Sequence, residues 1–431
     1  METIDCVILG GGIAGLGAAL RCRESNRRAV IFEARTSAGG LLDNFTIDGF
    51  RFDYAVHLSF ANEPKVRDIF DRTPFLTHPA DSKCFDEKHW LKHPVQNNLF
   101  PLAPEVKVDL IDSFVRRPDR MSGDDYESWL RHQYGNAIAE RYPLRYTRKY
   151  WATDAAQLSV DWIGQRMRRA ELGEILYGAF TDDTPNTYYT KEMRYPVEGG
   201  YKAFIQPLID ASDVRPEHIA SAIDPAARIV RFTNGTAVRY ESLISTLPLP
   251  VLVNLLAEAP AEVTRAASRL TATSIDLVSV GFEKPVVNDL WFYIYDEDIL
   301  ASRAYSPSVK SPDNAPDGCS SLQFEIYSRG PGSRYDPKTL ESNTAYALRK
   351  MNIGSPGDIR FIDHRRIPYG NVIFDIGMSD DRHAVLRHVS QQGIASCGRF
   401  GEWEYLWSNQ SLLSGYHWPE ALRTRNTDPA H

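Results

Sequence analysis

Short apolar runs broken by glycine open the chain. Ile4 to Leu9 is β-branched and mostly apolar, of strand length, while Ile13 to Arg23 is rich in Ala and Leu and free of proline, which predicts a helix. Ala29 to Phe32 predicts a second strand. Phe45 to Phe60 alternates like a strand pair turning at Asp48-Gly49. From Glu105 to Arg169 the pattern is mainly helical: Tyr126, Trp129, Leu130 and Tyr134 fall roughly on one face, with Asp124 and Asp125 at the start of that helix. "RYPVEGGYKAFIQPLID" predicts loop and helix, and "ARIVRF", "AVRYESLISTLP" and "SIDLVSVGFEK" predict strands. "LWFYIYDED" and "SSLQFEIYSR" extend the β-rich part, and the tail after Gly393 predicts a strand, a Gly-rich turn and a helix.

Gly10, Gly12 and Gly15, between the first strand and the first helix, form G-x-G-x-x-G. The first glycine suits a tight turn, the second lets backbone approach a pyrophosphate, and the third lets helix and strand pack closely. The helix N-terminus offers unpaired N–H groups to phosphate. Glu33 ends the second strand at the spacing where a carboxylate meets a ribose hydroxyl. Gly39 and Gly40 follow in "EARTSAGGLL". The whole pattern resembles the FAD-binding opening of the glutathione-reductase-like flavoproteins, which include amine oxidases, protoporphyrinogen oxidases and UDP-galactopyranose mutases. FAD is the cofactor this implies, with NAD the poorer fit.

Composition narrows the setting. The 431 residues suit two or three domains, and 43% hydrophobic with 24% charged residues is the balance of a globular protein. A formal net charge of −7 gives no general attraction to nucleic acid, so anionic ligands must be held locally. Cys6, Cys22, Cys84, Cys319 and Cys397 are scattered without a C-x-x-C pair, which predicts neither a zinc knuckle nor a disulfide framework and suits a cytoplasmic location. No apolar run reaches the roughly 18 residues of a membrane span. His89 and His93 lack the glutamate of a zincin helix, and no metal is expected.

Several islands resemble UDP-galactopyranose mutases more narrowly. In "CGRFGEWEYLWSNQSLLSG", Gly398, Arg399, Gly401 and Tyr405 match the C-terminal FAD motif, with Trp403 replacing a common tyrosine. The resemblance implies that Arg399 pairs with the FAD pyrophosphate and that Asn409, Gln410 and Ser411 stand beside the flavin pyrimidine. In "DYAVHLSF", His57 matches a histidine that lies against the isoalloxazine, with Ala55 in place of a glycine. "KHPVQNNLFPL" places Asn97 and Asn98 on the substrate side of the flavin. Tyr146, Thr147, Lys149, Trp151, Asp154 and Leu158 match a further island, with Ala155 replacing a proline, and Arg166 is the candidate for the diphosphate arginine after it. Arg303, Tyr369 and Asn371 complete the expected substrate contacts, and Tyr405 also faces that side.

The fold expected is α/β: a Rossmann-like FAD-binding domain assembled from residues 1–75, 186–265 and 386–431, a helical domain at 105–185, and an antiparallel β-sheet substrate domain from 76–104 and 266–385. The resemblance implies a mutase that interconverts pyranose and furanose nucleotide sugars through reduced FAD, whose N5 attacks the anomeric carbon; His57, Arg166 and Arg303 are the catalytic candidates. Its partners are a nucleotide-diphosphate sugar, NAD(P)H as one candidate reductant, and optionally a second copy of the chain. The alternative is an FAD-dependent oxidoreductase of the amine oxidase or protoporphyrinogen oxidase type, which shares the fold but prefers an apolar or aromatic cage to paired arginines.

Overall fold

The computed structural model describes residues 1–164, 167, 171–185 and 192–419. The apolar run at the N-terminus forms the strand Glu2–Leu9, the Ala/Leu-rich stretch forms the helix Ile13–Glu24, and the strand Ala29–Phe32 returns parallel to the first, Ile8 beside Ile31. These strands sit in a sheet ordered Ala220–Asp224, Ile229–Phe232, Ala237–Ser245, Glu2–Leu9, Ala29–Phe32, Asp213–Arg215. Ile394–Ser396 pairs in parallel with the end of Ala237–Ser245. The parallel strands thus end together at Leu9, Phe32 and Ser245, the edge where open α/β sheets bind ligands. The helix Ser408–Tyr416 then packs on the helix Ile13–Glu24 backbone to backbone: a Cβ on Gly415 would lie 1.8 Å from the Ala14 carbonyl oxygen, and one on Gly17 2.3 Å from that of Leu412. Glycine there lets the tail of the chain reach the opening motif.

A second sheet runs in the order Ile359–Ile367, Thr273–Phe282, Ser320–Arg329, Arg303–Tyr305, Trp291–Ile294, Lys83–Asp86, His89–Lys92. It is antiparallel except where Lys83–Asp86 meets Trp291–Ile294, a parallel pairing of segments far apart in sequence. The expected pair around Asp48-Gly49 forms as Asn44–Ile47 and Phe50–Asp53. Helices Pro104–Val115, Tyr126–Tyr134, Asn136–Arg141, Pro143–Tyr150 and Leu172–Phe180 make the third layer. In the second of these Tyr126, Leu130 and Tyr134 face inward, and Asp125 caps its start by accepting from the Ser128 amide at 2.9 Å. Among the described residues no helix is long and apolar enough to cross a membrane.

Candidate functional site

The opening glycines build a cradle out of backbone. A Cβ on Gly15 would lie 2.0 Å from the Gly10 carbonyl oxygen, so the helix can start this close to the strand only with glycine there. A Cβ on Gly12 would instead project into open space bounded by the Gly40 Cα at 3.8 Å. That is the space a pyrophosphate needs. Gly39 and Gly40 close the other wall, bridging to Gly12 and donating the Gly39 amide to the Gly11 carbonyl at 2.9 Å. Buried Glu33 accepts from the Gly11 amide at 2.7 Å and the Arg35 amide at 2.8 Å. Each of its oxygens keeps a lone pair for a ribose hydroxyl.

The tail brings a cation to this region. Gly398 holds φ +81° and its Cβ would meet the Ala14 Cβ at 2.6 Å, so the residue before Arg399 sits directly on the first helix. Arg399 donates to the Leu406 carbonyl at 3.1 Å and to Asn371 Oδ1 at 2.5 Å. Its Nε and the Nδ2 of Asn371 are buried without a hydrogen-bond partner among the described residues. Buried donors of this kind are satisfied in nearly all native proteins, so two adjacent ones call for an acceptor-bearing ligand. The glycine cradle, Glu33 and these two donors therefore fit a dinucleotide cofactor such as FAD or NAD(P). Asn409 donates to Glu63 at 2.7 Å, Gln410 accepts the Trp407 amide at 2.9 Å, and the Ser411 amide donates to the Trp407 carbonyl at 2.8 Å, which fixes the start of the tail helix.

Arg399 also lies over the ring of Tyr405, 4.7 Å from its centroid, and Arg303 lies over Tyr150 at 5.2 Å. The two tyrosine hydroxyls are 3.0 Å apart. Two guanidiniums from distant segments are thus joined through one tyrosine pair. Tyr146 stacks on Tyr150 at 5.4 Å, Trp151 packs on Tyr405 at 5.6 Å, and Tyr369 meets Phe400 at 5.7 Å. Burial pushes the hydroxyls of Tyr146 and Tyr150 up, while Arg303 pulls both back. Both stay neutral donors at ordinary pH.

His57 follows a loop in which Ala55 holds φ +75°, the left-handed backbone a glycine ordinarily takes. Alanine holds this backbone at some strain. His57 donates Nδ1–H to the Ala55 carbonyl at 3.0 Å and packs on Tyr201 at 5.2 Å. Burial lowers its pKa to about 4, against the opposing pull of Asp53. The imidazole is neutral at pH 7.

Fully buried Glu325 joins this loop to the arginine face. It accepts from the Val56 amide at 2.8 Å, from the Tyr327 hydroxyl at 2.6 Å and from Arg303 Nε, and Arg303 Nη2 donates to the Tyr327 hydroxyl at 3.1 Å. Although burial pushes its carboxyl up, Arg303 and the hydrogen bonds win and hold it below its usual range. At the other end of the loop Asp53 accepts from Lys310 at 3.3 Å, the Tyr195 hydroxyl at 2.8 Å and the Tyr201 amide at 3.1 Å.

Sequence reasoning missed Glu325, Tyr327, Tyr150, Asp53 and Lys310. The signal was present in "SSLQFEIYSR": Ser321, Gln323, Glu325 and Tyr327 alternate with Leu322, Phe324 and Ile326, yet both faces of the strand are buried. A polar face inside a buried strand marks a lined site. Asn97 donates to Glu174 of the Leu172–Phe180 helix at 3.2 Å while its Oδ1 is buried without a hydrogen-bond partner among the described residues, and Asn98 donates to the Pro94 carbonyl at 2.8 Å and accepts from Thr184. Arg166 lies outside the described residues. Among the described residues no group of His, Cys, Asp and Glu is placed to hold a metal.

Comparison with known proteins agrees with this architecture. Residues 8–73 match the model of an NAD(P)-binding Rossmann-like domain. All-trans-retinol 13,14-reductase of Rattus norvegicus is 36% identical over 56 residues, which is 13% of this chain and 9% of that protein, so the chain spans under a tenth of that relative's length in the match. The structure of reduced UDP-galactopyranose mutase superposes with a TM-score of 0.91 at 24% identity, covering 99% of this chain and 96% of that one. Cyclohexylamine oxidase from Brevibacterium oxydans IH-35A superposes with a TM-score of 0.68 at 13% identity, covering 99% of this chain and 100% of that one. At these identities the shared property is the fold, a Rossmann-like α/β architecture with an added antiparallel sheet.

Proposed function

We propose that this chain is a flavin-dependent mutase of nucleotide-diphosphate sugars, interconverting pyranose and furanose forms. The observation that carries the reading is Arg303, held by Glu325 and Tyr327 and lying over Tyr150, whose hydroxyl meets that of Tyr405. A departing diphosphate develops concentrated negative charge, and a guanidinium held in a water-poor site stabilises it without reorganising. Arg303 is already oriented by Glu325, so its outer nitrogens are left to a ligand and to Tyr327. The neighbouring tyrosine hydroxyls supply neutral donors for phosphate or sugar oxygens. Neutral His57 keeps its one proton on Nδ1, against the Ala55 carbonyl, and leaves Nε2 as a proton acceptor. Reduced FAD, when bound, would supply the nucleophile for the anomeric carbon.

The oxidoreductase reading draws on a different observation. Trp151, Trp162, Phe374 and Tyr405 form a contiguous aromatic wall, with Trp151 and Trp162 at 5.1 Å and Trp162 and Phe374 at 6.4 Å. Such a wall suits an apolar amine as well as a nucleotide base. Titrating the holoenzyme with UDP and GDP while following the flavin spectrum separates the two. Micromolar binding that Arg303→Lys weakens at least tenfold supports the mutase; no binding by either nucleotide, with turnover of an amine, supports the oxidase.

A further inference from the structure

The loop from Asp53 to His57 belongs to the nucleotide-binding half of the chain, yet its two ends are gripped by buried charges from the second sheet and the short helix after it. At the entry, Lys310 is fully buried, 3.3 Å from Asp53 Oδ2 and 4.0 Å above the ring of Tyr305, whose hydroxyl in turn donates to the Asp53 carbonyl at 3.2 Å. Near the exit, Glu325 takes the Val56 amide on one oxygen and Arg303 with Tyr327 on the other. Between the two grips lies Ala55 at φ +75°, a backbone an alanine leaves unless surrounding contacts hold it.

Glu325 is therefore shared. One carboxylate oxygen fixes the backbone next to His57 and the other fixes the guanidinium that faces the tyrosine pair. A buried carboxylate and a buried guanidinium are costly to separate, so movement of Arg303 draws on the same group that sets the loop. We propose that Glu325 is a positioning residue that couples Arg303 to the His57 loop, so that diphosphate engaged by Arg303 is felt at the flavin face. Lys310 is its counterpart at the loop entry and positions Asp53, with no hydrogen bond to Arg303 among the described residues. The inference rests on the mutase reading for the ligand of Arg303 alone.

The test uses FAD-loaded Glu325→Gln, Tyr327→Phe and Lys310→Met. Glu325→Gln keeps the size of the side chain while removing its charge, and is expected to retain FAD, shift the visible spectrum and fluorescence of the resting flavin, and weaken UDP at least tenfold. Tyr327→Phe should do both to a smaller extent, and it decides the matter on the same readings if Glu325→Gln does not fold. Lys310→Met should shift the flavin spectrum while UDP affinity stays within twofold. Unchanged flavin spectra in Glu325→Gln and Tyr327→Phe, or equal loss of UDP affinity in the Glu325 and Lys310 variants, overturn the coupling. Should the wild type bind no UDP, the mutase reading falls, and the resting flavin spectra alone decide whether Glu325 positions the loop.

Discussion

The glycine cradle and the arginine face are built in opposite ways. The cradle is backbone, drawn from residues 10 to 40, and its contacts are close because side chains are missing. The arginine face is side chains from four separate segments, around Tyr150, Arg303, Glu325 and Tyr405, and it exists because those side chains reach one another. A backbone site is intolerant of added atoms, whereas a side-chain site is intolerant of removed ones. Mutations of opposite kinds should therefore separate cofactor binding from substrate chemistry.

The largest effect expected is on the cradle. Gly15→Val would force its Cβ onto the Gly10 carbonyl, and the variant should purify without FAD, as read from the ratio of visible to ultraviolet absorbance. Retention of yellow protein would break the comparison at its first member. Next comes Arg303→Lys, which keeps the charge but loses the fork that spans Glu325 and Tyr327. It should retain FAD and lose about 100-fold in kcat, the scale of one lost transition-state donor. Loss of FAD together with activity would show that the two regions are not separable.

A pH effect sharpens the account of His57. Its pKa falls from 6.5 to about 4 on folding, so above pH 6.5 both folded and unfolded chains carry a neutral ring. As pH falls below 6.5 the unfolded chain takes up the proton first, and stability declines until about pH 4, by about 3 kcal/mol at full extent. His93, also lowered by burial to about 4, adds a parallel contribution. Thermal melts of His57→Asn should show a shallower decline over that window than wild type; identical slopes would assign the loss elsewhere. The smallest effect is at Ala55, where glycine relieves the left-handed backbone but gains freedom in the unfolded chain. Ala55→Gly should gain about 0.5 kcal/mol in denaturant unfolding, and a loss would mean the loop is not strained.

The same contrast explains what could be read from the chain. The cradle is legible because its residues are close in sequence and its glycines have steric reasons, as at Gly15, where an added Cβ would lie 2.0 Å from the Gly10 carbonyl oxygen. The pairing of Lys83–Asp86 with Trp291–Ile294 is not legible, since hydrophobic alternation says nothing about which distant strand supplies the partner. The sequence puts Arg399 at the cofactor and Asn371 at the substrate, but that one donates to the other depends on a tail that packs back on the first helix. Tyr150 sits one turn from Tyr146 and reads as an ordinary core aromatic until Arg303 is placed on its ring. Asn97 and Asn98 illustrate the converse: amides expected at a sugar are used to pin a helix, a role short-range pattern cannot distinguish.

The most direct measurement is turnover under controlled flavin redox state. The protein is reduced anaerobically with dithionite and supplied with UDP-hexopyranoses and UDP-hexofuranoses, with products separated by chromatography and the flavin followed by absorbance. The account predicts a ring-isomerised nucleotide sugar formed only with reduced flavin and without net reoxidation. No nucleotide-sugar isomer in either redox state, with oxidised flavin instead consuming an amine substrate stoichiometrically with oxygen, would contradict it.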